Sequence, residues 1–65
     1  MTKKQLIQRI NKLDWGGVYY GFKDGKLINI NDYNEEDDTF TTYGEDMKCH
    51  SLPFEELPNT LWRNN

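Results

Sequence analysis

Residues 18–30 read Val-Tyr-Tyr-Gly-Phe-Lys-Asp-Gly-Lys-Leu-Ile-Asn-Ile, and this stretch decides the fold. Apolar side chains alternate with other residues on both sides of Asp24-Gly25, the pattern of strands that bury one face. Asp-Gly between two such runs is a strong local signal for a tight turn. The stretch therefore predicts an antiparallel β-hairpin.

The length of the turn sets which side chains share a face of this hairpin. A two-residue turn would put Ile28 and Ile30 on the face opposite Val18 and Tyr20. A three-residue loop, with Gly25 as a left-handed bulge, shifts the register by one and gives one coherent apolar face. We therefore predict the bulged loop, with Tyr20 facing Ile28 and Val18 facing Ile30.

The segment before the hairpin predicts a helix. Residues 2–5, Thr-Lys-Lys-Gln, match a capping box, in which Thr2 and Gln5 satisfy each other's backbone donors. The helix should end near Asp14, because Gly16-Gly17 cannot usefully continue it. Its apolar residues recur at helical spacing and define one face: Leu6, Ile7, Ile10 and Leu13.

The segment after the hairpin predicts further strands and a short helical end. Residues 31–38 are rich in turn formers and should form a loop, whereas residues 39–43 have strand character. Residues 47–52 predict a shorter strand. Prolines that suit the first turn of a helix precede residues 54–57 and 59–62, which we expect to be helical.

The whole chain, residues 1–65, is predicted to be one α+β domain. We expect an N-terminal helix packed on a 3–4-stranded antiparallel β-meander, with a short C-terminal helical segment. Only 35% of the residues are apolar, but 14% are aromatic, and aromatic side chains bury a large area each. No apolar run has the length of a membrane span or a signal peptide. The single cysteine cannot form an internal disulfide, which favours the reducing cytoplasm.

Charge is distributed unevenly along the chain. Residues 1–13 hold four basic residues and no acid, whereas residues 32–46 hold seven acids and no base. We predict that this acidic segment forms a protein-binding surface. Its acidic residues are Asp32, Glu35, Glu36, Asp37, Asp38, Glu45 and Asp46.

Two interpretations of the acidic segment stay open. Its carboxylates could imitate a nucleic-acid backbone and occupy the basic groove of a DNA- or RNA-binding protein. Alternatively, the charge serves solubility and guards against edge-to-edge sheet pairing. An EF-hand is rejected, because Asp37 stands where the loop needs glycine and Tyr43 where it needs glutamate.

The residues give no support for catalysis, a metal or a cofactor, and we predict none of the three. Cys49 and His50 are adjacent, so on a strand they point to opposite faces and cannot form a nucleophile–base pair. One cysteine and one histidine fall short of a closed zinc site. We expect Cys49 to be partly buried and His50 to face solvent.

Aromatic residues outnumber what one small core can hide. With the bulged loop, Tyr19 must face outward, and exposed tyrosines are common anchors of protein interfaces. We predict an aromatic binding surface that contains Tyr19, Tyr33 and Tyr43; the outer face of a two-layer protein can also simply tolerate such residues.

These observations predict a small non-enzymatic protein-binding module that acts as a stoichiometric inhibitor or regulator of a host protein. Compactness, acidity and the lack of an active-site motif are typical of proteins from phages or mobile elements, which is an association rather than a physical argument. One alternative is an acidic nucleic-acid mimic that blocks a DNA- or RNA-handling enzyme through residues 32–46. Another is a structural homo-oligomer, such as a homodimer. We expect no direct binding to nucleic acid, because the acidic segment repels it.

Overall fold

The computed structural model describes residues 1–13 and 17–64, with the side chain of residue 64 left aside. It contains one α-helix, one 3₁₀ turn and five strands within these ranges. In chain order the elements are α1 (Lys3–Asn11), β1 (Val18–Lys23), β2 (Lys26–Asn34), β3 (Thr39–Gly44), β4 (Cys49–Leu52), a 3₁₀ turn (Phe54–Glu56) and β5 (Trp62–Asn64).

The five strands form one antiparallel sheet in the order β4-β3-β2-β1-β5. Strands β1 to β4 are joined consecutively as a meander, and β5 returns to pair with β1 on its free side. Helix α1 and the segment that contains the 3₁₀ turn cover one face, which we call the inner face. The opposite, outer face is left uncovered by any described element.

The helix begins as its sequence predicts. Thr2 Oγ1 accepts a hydrogen bond from the Gln5 backbone N–H (3.2 Å), and Gln5 Oε1 accepts one from the Thr2 N–H (2.9 Å). The capping box is therefore confirmed. The helix ends at Asn11, and its predicted end near Asp14 lies outside the described residues.

The core lies between α1 and the inner face of the sheet. From the helix, Leu6 and Ile10 are buried, as the helical spacing predicted. Phe40 and Ile30 of the sheet are fully buried against them. Among the described residues, the buried apolar cluster consists of Leu6, Ile10, Tyr19, Ile30, Phe40 and Leu57.

The predicted register of the β1–β2 hairpin is wrong. Asp24 and Gly25 are the two central residues of a two-residue turn, and both have positive φ (53° and 77°), as a type I′ turn requires. The turn pairs Tyr19 with Ile30 and Phe22 with Leu27. The inner face of β1 therefore carries Tyr19, which is only 7% exposed, and not Val18 and Tyr20 as predicted.

The C-terminal segment explains why this register is stable. Gly21 is buried on the inner face between Tyr19 and the turn, and a Cβ atom there would lie 2.8 Å from Leu61 Cδ2 and 2.9 Å from Pro58 Cγ. Pro58 and Leu61 thus occupy the space that a side chain at position 21 would fill. The inner face is filled by a distant segment, and the alternating residues Val18, Tyr20 and Phe22 occupy the outer face.

A second register feature lies in β2. This strand continues to Asn34, so the predicted loop at 31–38 shrinks to a four-residue turn at 35–38. The pairing with β3 shifts between Ile30 and Asp32, which leaves Asn31 as a bulge. The extra residue reverses the alternation after Ile30, so that Asp32 points to the outer face and Tyr33 to the inner face.

The C-terminal prediction is partly wrong. Only Phe54–Glu56 forms a 3₁₀ turn, and the predicted helical turn at 59–62 is absent. Instead, Trp62–Asn64 forms strand β5, because its backbone pairs with the free edge of β1. The α+β class and the packing of an N-terminal helix on an antiparallel sheet are confirmed, with five strands in place of three or four. Among the helices of the described ranges, none could cross a membrane.

Candidate protein-binding face

A row of five paired residues crosses the outer face from one edge of the sheet to the other. Cys49 pairs with Tyr43, Tyr43 with Asn29, Asn29 with Tyr20, and Tyr20 with Trp62. Three of the five are aromatic, and Phe22 and Leu27 form the next pair toward the Asp24-Gly25 turn. We define the outer aromatic face as Tyr20, Phe22, Leu27, Tyr43 and Trp62.

The outer aromatic face is exposed and internally ordered. Phe22 is 60% exposed and Trp62 42%, which is high for side chains of this size. The Trp62 ring stacks on Tyr20 with centroids 6.3 Å apart and lies 5.6 Å from that of Phe22. These contacts bring the three rings together as one cluster, which presents a continuous aromatic surface to a partner.

Of the three tyrosines predicted to bind a partner, the structure puts one on this face. Tyr43 lies in the paired row, but Tyr19 is part of the core. Tyr33 is half-buried on the inner face, where its ring lies 4.9 Å from Phe40, because the bulge at Asn31 turns it inward.

Four members of this face were not among the predicted binding residues: Tyr20, Phe22, Leu27 and Trp62. The alternation of Tyr20 and Phe22 along β1 was visible in the sequence, but the predicted bulged register placed these residues on the buried face. Trp62 lies in a strand of three residues, too short to show any periodicity.

The seven predicted acidic residues do not form one surface. Asp32 points to the outer face, and residues 35–38 form the β2–β3 turn at one end of the sheet. Glu45 and Asp46 lie in the β3–β4 turn at the opposite end. The length of β3 separates these two groups, by roughly 17 Å at 3.3 Å per residue.

Asp38 joins the β2–β3 turn to the helix. Its carboxylate binds Lys3 Nζ (2.5 Å) and accepts a hydrogen bond from the Tyr33 hydroxyl (2.7 Å). The Lys3 contact and then the Tyr33 contact hold the pKa of Asp38 below its ordinary value. The same hydrogen bond to the Asp38 carboxylate raises the pKa of Tyr33. Asp38 thus has a structural role in fixing the turn.

The acids of the β3–β4 turn also have partners. Glu45 Oε2 accepts a hydrogen bond from the Leu27 N–H (3.1 Å), which ties the two hairpins together. The Asp46 carboxylate contacts His50 Nε2 (2.7 Å) and accepts from the Lys48 N–H (3.0 Å). The His50 contact and then the Lys48 hydrogen bond lower the pKa of Asp46.

Cys49 and His50 point to opposite faces, as strand geometry predicts. Cys49 pairs with Tyr43 on the outer face, whereas His50 pairs with Thr42, a residue of the buried inner face. Cys49 is exposed, and its predicted partial burial is wrong because β4 is an edge strand with no described element over its outer side. The two side chains therefore cannot act on one substrate group.

His50 lines an open pocket of about 310 Å³ on the inner side, between the two hairpin turns. Among the described lining residues, the only hydroxyl belongs to Thr42, and it donates to the His50 carbonyl oxygen (3.3 Å). The lining also includes Lys23, Lys26, Ile28 and Leu52.

No group of three or more His, Cys, Asp or Glu side chains within residues 1–13 and 17–63 is arranged to hold a metal ion. Comparisons of the chain with protein-family models, curated proteins and solved structures found no match.

Proposed function

We propose that this chain is a small non-enzymatic protein-binding module, a stoichiometric inhibitor or regulator of a cytoplasmic host protein. The observation that supports the proposal is the outer aromatic face. It presents two large rings, Phe22 and Trp62, that are 60% and 42% exposed on neighbouring strands of the sheet. Aromatic side chains of this kind supply most of the binding energy at many protein interfaces.

Polar side chains border the outer aromatic face, as they border the apolar centre of many protein interfaces. Beyond the aromatic rows, the outer face continues with polar side chains at Asp32, Thr41 and Ser51, which are joined in register across three strands. Interfaces commonly combine an apolar, ring-rich centre with a polar, solvated rim. An origin in a phage or mobile element fits a compact acidic inhibitor by association only.

Nucleic-acid mimicry through residues 32–46 is the weaker candidate. A mimic needs several unengaged carboxylates on one surface, but the acids lie at two ends of the sheet. Asp38 is already paired with Lys3, and Asp46 with His50. A homodimer formed through the outer aromatic face is the other candidate, since a second copy could cover the same rings.

Affinity capture from nuclease-treated native lysate tests the proposal. The wild-type bait should retain one protein in near-equal amount. A Phe22→Ser bait should lose that protein, because the substitution removes an exposed ring without opening the core. A bait with Glu35, Glu36 and Asp37 changed to their amides keeps Asp38 intact and should still retain it.

The opposite pattern, with loss on the amide bait and retention on the Phe22→Ser bait, would favour mimicry and contradict the proposal. Recovery of the bait alone, together with a mass that rises with concentration, would favour self-association and likewise contradict it.

A further inference from the structure

A groove of about 210 Å³ runs along the outer face between Tyr20 and Tyr43. Asn29 forms its floor, because it pairs with Tyr20 on one side and Tyr43 on the other. Leu27 and Glu45 complete the groove at the end nearer the hairpin turns. The groove lies within the outer aromatic face, so any ligand assigned to it rests on the proposed function.

The two tyrosines stand at a spacing that suits a flat group. They are separated by two strand spacings, roughly 9.5 Å between backbones. A planar group in contact with both rings needs roughly 7 Å, which is two van der Waals contacts. The proposal requires a rotation of the Tyr43 side chain toward Tyr20 to close the difference. Tyr20 is supported from behind by its stacking on Trp62, so one wall of the groove is already in place.

Two acceptors of the groove are relevant to a ligand that carries donors, the Asn29 side-chain oxygen and the Glu45 carboxylate. Asn29 Oδ1 is buried and has no hydrogen-bond partner among the described residues. A buried acceptor left without a donor is costly, and a ligand that supplies the donor removes that cost. Glu45 adds a carboxylate, of which Oε2 already accepts from the Leu27 N–H.

The charge around the groove favours a cation. Tyrosine faces attract cations, Glu45 is negative, and the chain has a net charge of −3. The lysines of the neighbouring hairpin turn point elsewhere: Lys23 and Lys26 line the pocket on the inner side, and Lys23 Nζ donates to the Glu56 carbonyl oxygen. Neither competes with a cation for the outer groove.

We propose that this groove receives an arginine side chain of the protein partner. The guanidinium stacks between Tyr20 and Tyr43 and donates to the Glu45 carboxylate, and a rotation of the Asn29 side chain brings its Oδ1 within reach as a second acceptor. Arginine fits better than lysine, because its planar head stacks on aromatic rings and carries several donors in a fixed fork. The proposal thus specifies that the partner contributes an arginine to the interface.

A titration with N-acetyl-arginine amide tests the groove without the partner. In ¹H–¹⁵N spectra, the Asn29 side-chain amide and the Leu27 backbone amide should shift together and saturate. N-acetyl-citrulline amide has nearly the same shape but no charge and should leave them unchanged. Tyr43→Leu removes one stacking ring from an exposed position and should weaken the fitted affinity about two- to fivefold.

The acidic β2–β3 turn provides the control, because it could attract any cation. Glu35→Gln with Glu36→Gln should leave the Asn29 and Leu27 shifts unchanged. Equal shifts with the citrulline probe, shifts confined to residues 35–38, or shifts that fail to saturate would each overturn the proposal. If Phe22→Ser still abolishes capture of the partner, the binding-module proposal stands even when the arginine groove fails.

Discussion

Leu61 packs directly over the backbone of Gly21, with its Cδ2 atom 2.8 Å from the point that a Cβ would occupy. This contact covers the side of β1 that the two-residue turn directs toward the core. Because Gly21 has no side chain, the C-terminal segment reaches the inner face of β1, and Tyr20 and Phe22 remain on the outer face. The candidate binding surface therefore depends on a glycine that lies on the other side of the sheet.

Gly21→Ala should lower the free energy of unfolding by about 1–3 kcal/mol, the usual cost of overpacking. The new methyl group would displace Leu61 and the rigid ring of Pro58. Urea denaturation measures the change. Gly44→Ala is the matched control, because its Cβ would lie 3.3 Å from Ile28 Cγ2 and needs only a small adjustment. Equal losses in the two variants would contradict the packing described for Gly21.

The type I′ turn makes a separate prediction. Gly25 has φ +77°, and a Cβ added there would meet no atom within 4 Å, so Gly25→Ala should cost about 1–2 kcal/mol through backbone strain alone. Asp24→Asn should be nearly neutral, because asparagine accepts the left-handed region. Nuclear Overhauser contacts should join Tyr19 to Ile30. Contacts between Val18 and Ile30 would instead support the bulged loop and contradict the type I′ turn.

The hairpin shows where sequence reasoning succeeds and where it fails. The two strands and the Asp24-Gly25 turn follow from local patterns. The choice of buried face does not, because the alternation of Val18, Tyr20 and Phe22 favours the bulged register, whereas Asp24-Gly25 favours the two-residue turn. The contact between Gly21 and Leu61, forty residues along the chain, favours the observed register and is not visible in the local sequence.

The difference between local patterns and contacts between distant segments also explains which other predictions were right or wrong. The capping box of α1 was predicted because all its partners lie within four residues. The bulge at Asn31 was not, since it appears only when β2 is set against β3, and it moved Tyr33 from the predicted binding surface to the inner face. Strand β5 exists because β1 offers a free edge, which its own three residues do not reveal.

Asp38 should make stability depend on acid pH. Its folded-state pKa lies below the ordinary 3.8 because Lys3 and Tyr33 stabilise the carboxylate, so the unfolded chain binds the proton more readily. The stabilisation is therefore present above that ordinary value and is lost as pH falls through the lowered pKa. The difference in denaturation midpoint between wild type and Asp38→Asn should shrink from about pH 5 to about pH 2.

Asparagine is the suitable replacement for Asp38, because it tolerates the residue's φ of 58°. Lys3→Gln removes the main cause of the lowered pKa of Asp38. The difference in denaturation midpoint between Lys3→Gln and wild type should therefore also shrink from about pH 5 to about pH 2. A difference that stays constant with pH in both variants would show that the Lys3–Asp38 pair has no part in acid stability.

Met47 offers a stabilising substitution. It is 77% exposed in the β3–β4 turn and has φ 61°, a conformation that costs most side chains free energy. Met47→Asn should raise the free energy of unfolding by up to about 1 kcal/mol, and thermal denaturation would show a higher Tm. A lower Tm would mean that the methionine side chain contributes packing that its exposure does not reveal.

Partner binding through the outer aromatic face is tested most directly by the dissociation constant of Trp62→Ala. The measurement uses the purified partner obtained by capture, with Glu35→Gln, Glu36→Gln as the control and circular dichroism to verify folding. We predict a loss of about 30-fold or more for a folded Trp62→Ala, the effect of removing a central aromatic anchor, and little change for the control. An unchanged dissociation constant in folded Trp62→Ala would contradict the role of this face in binding.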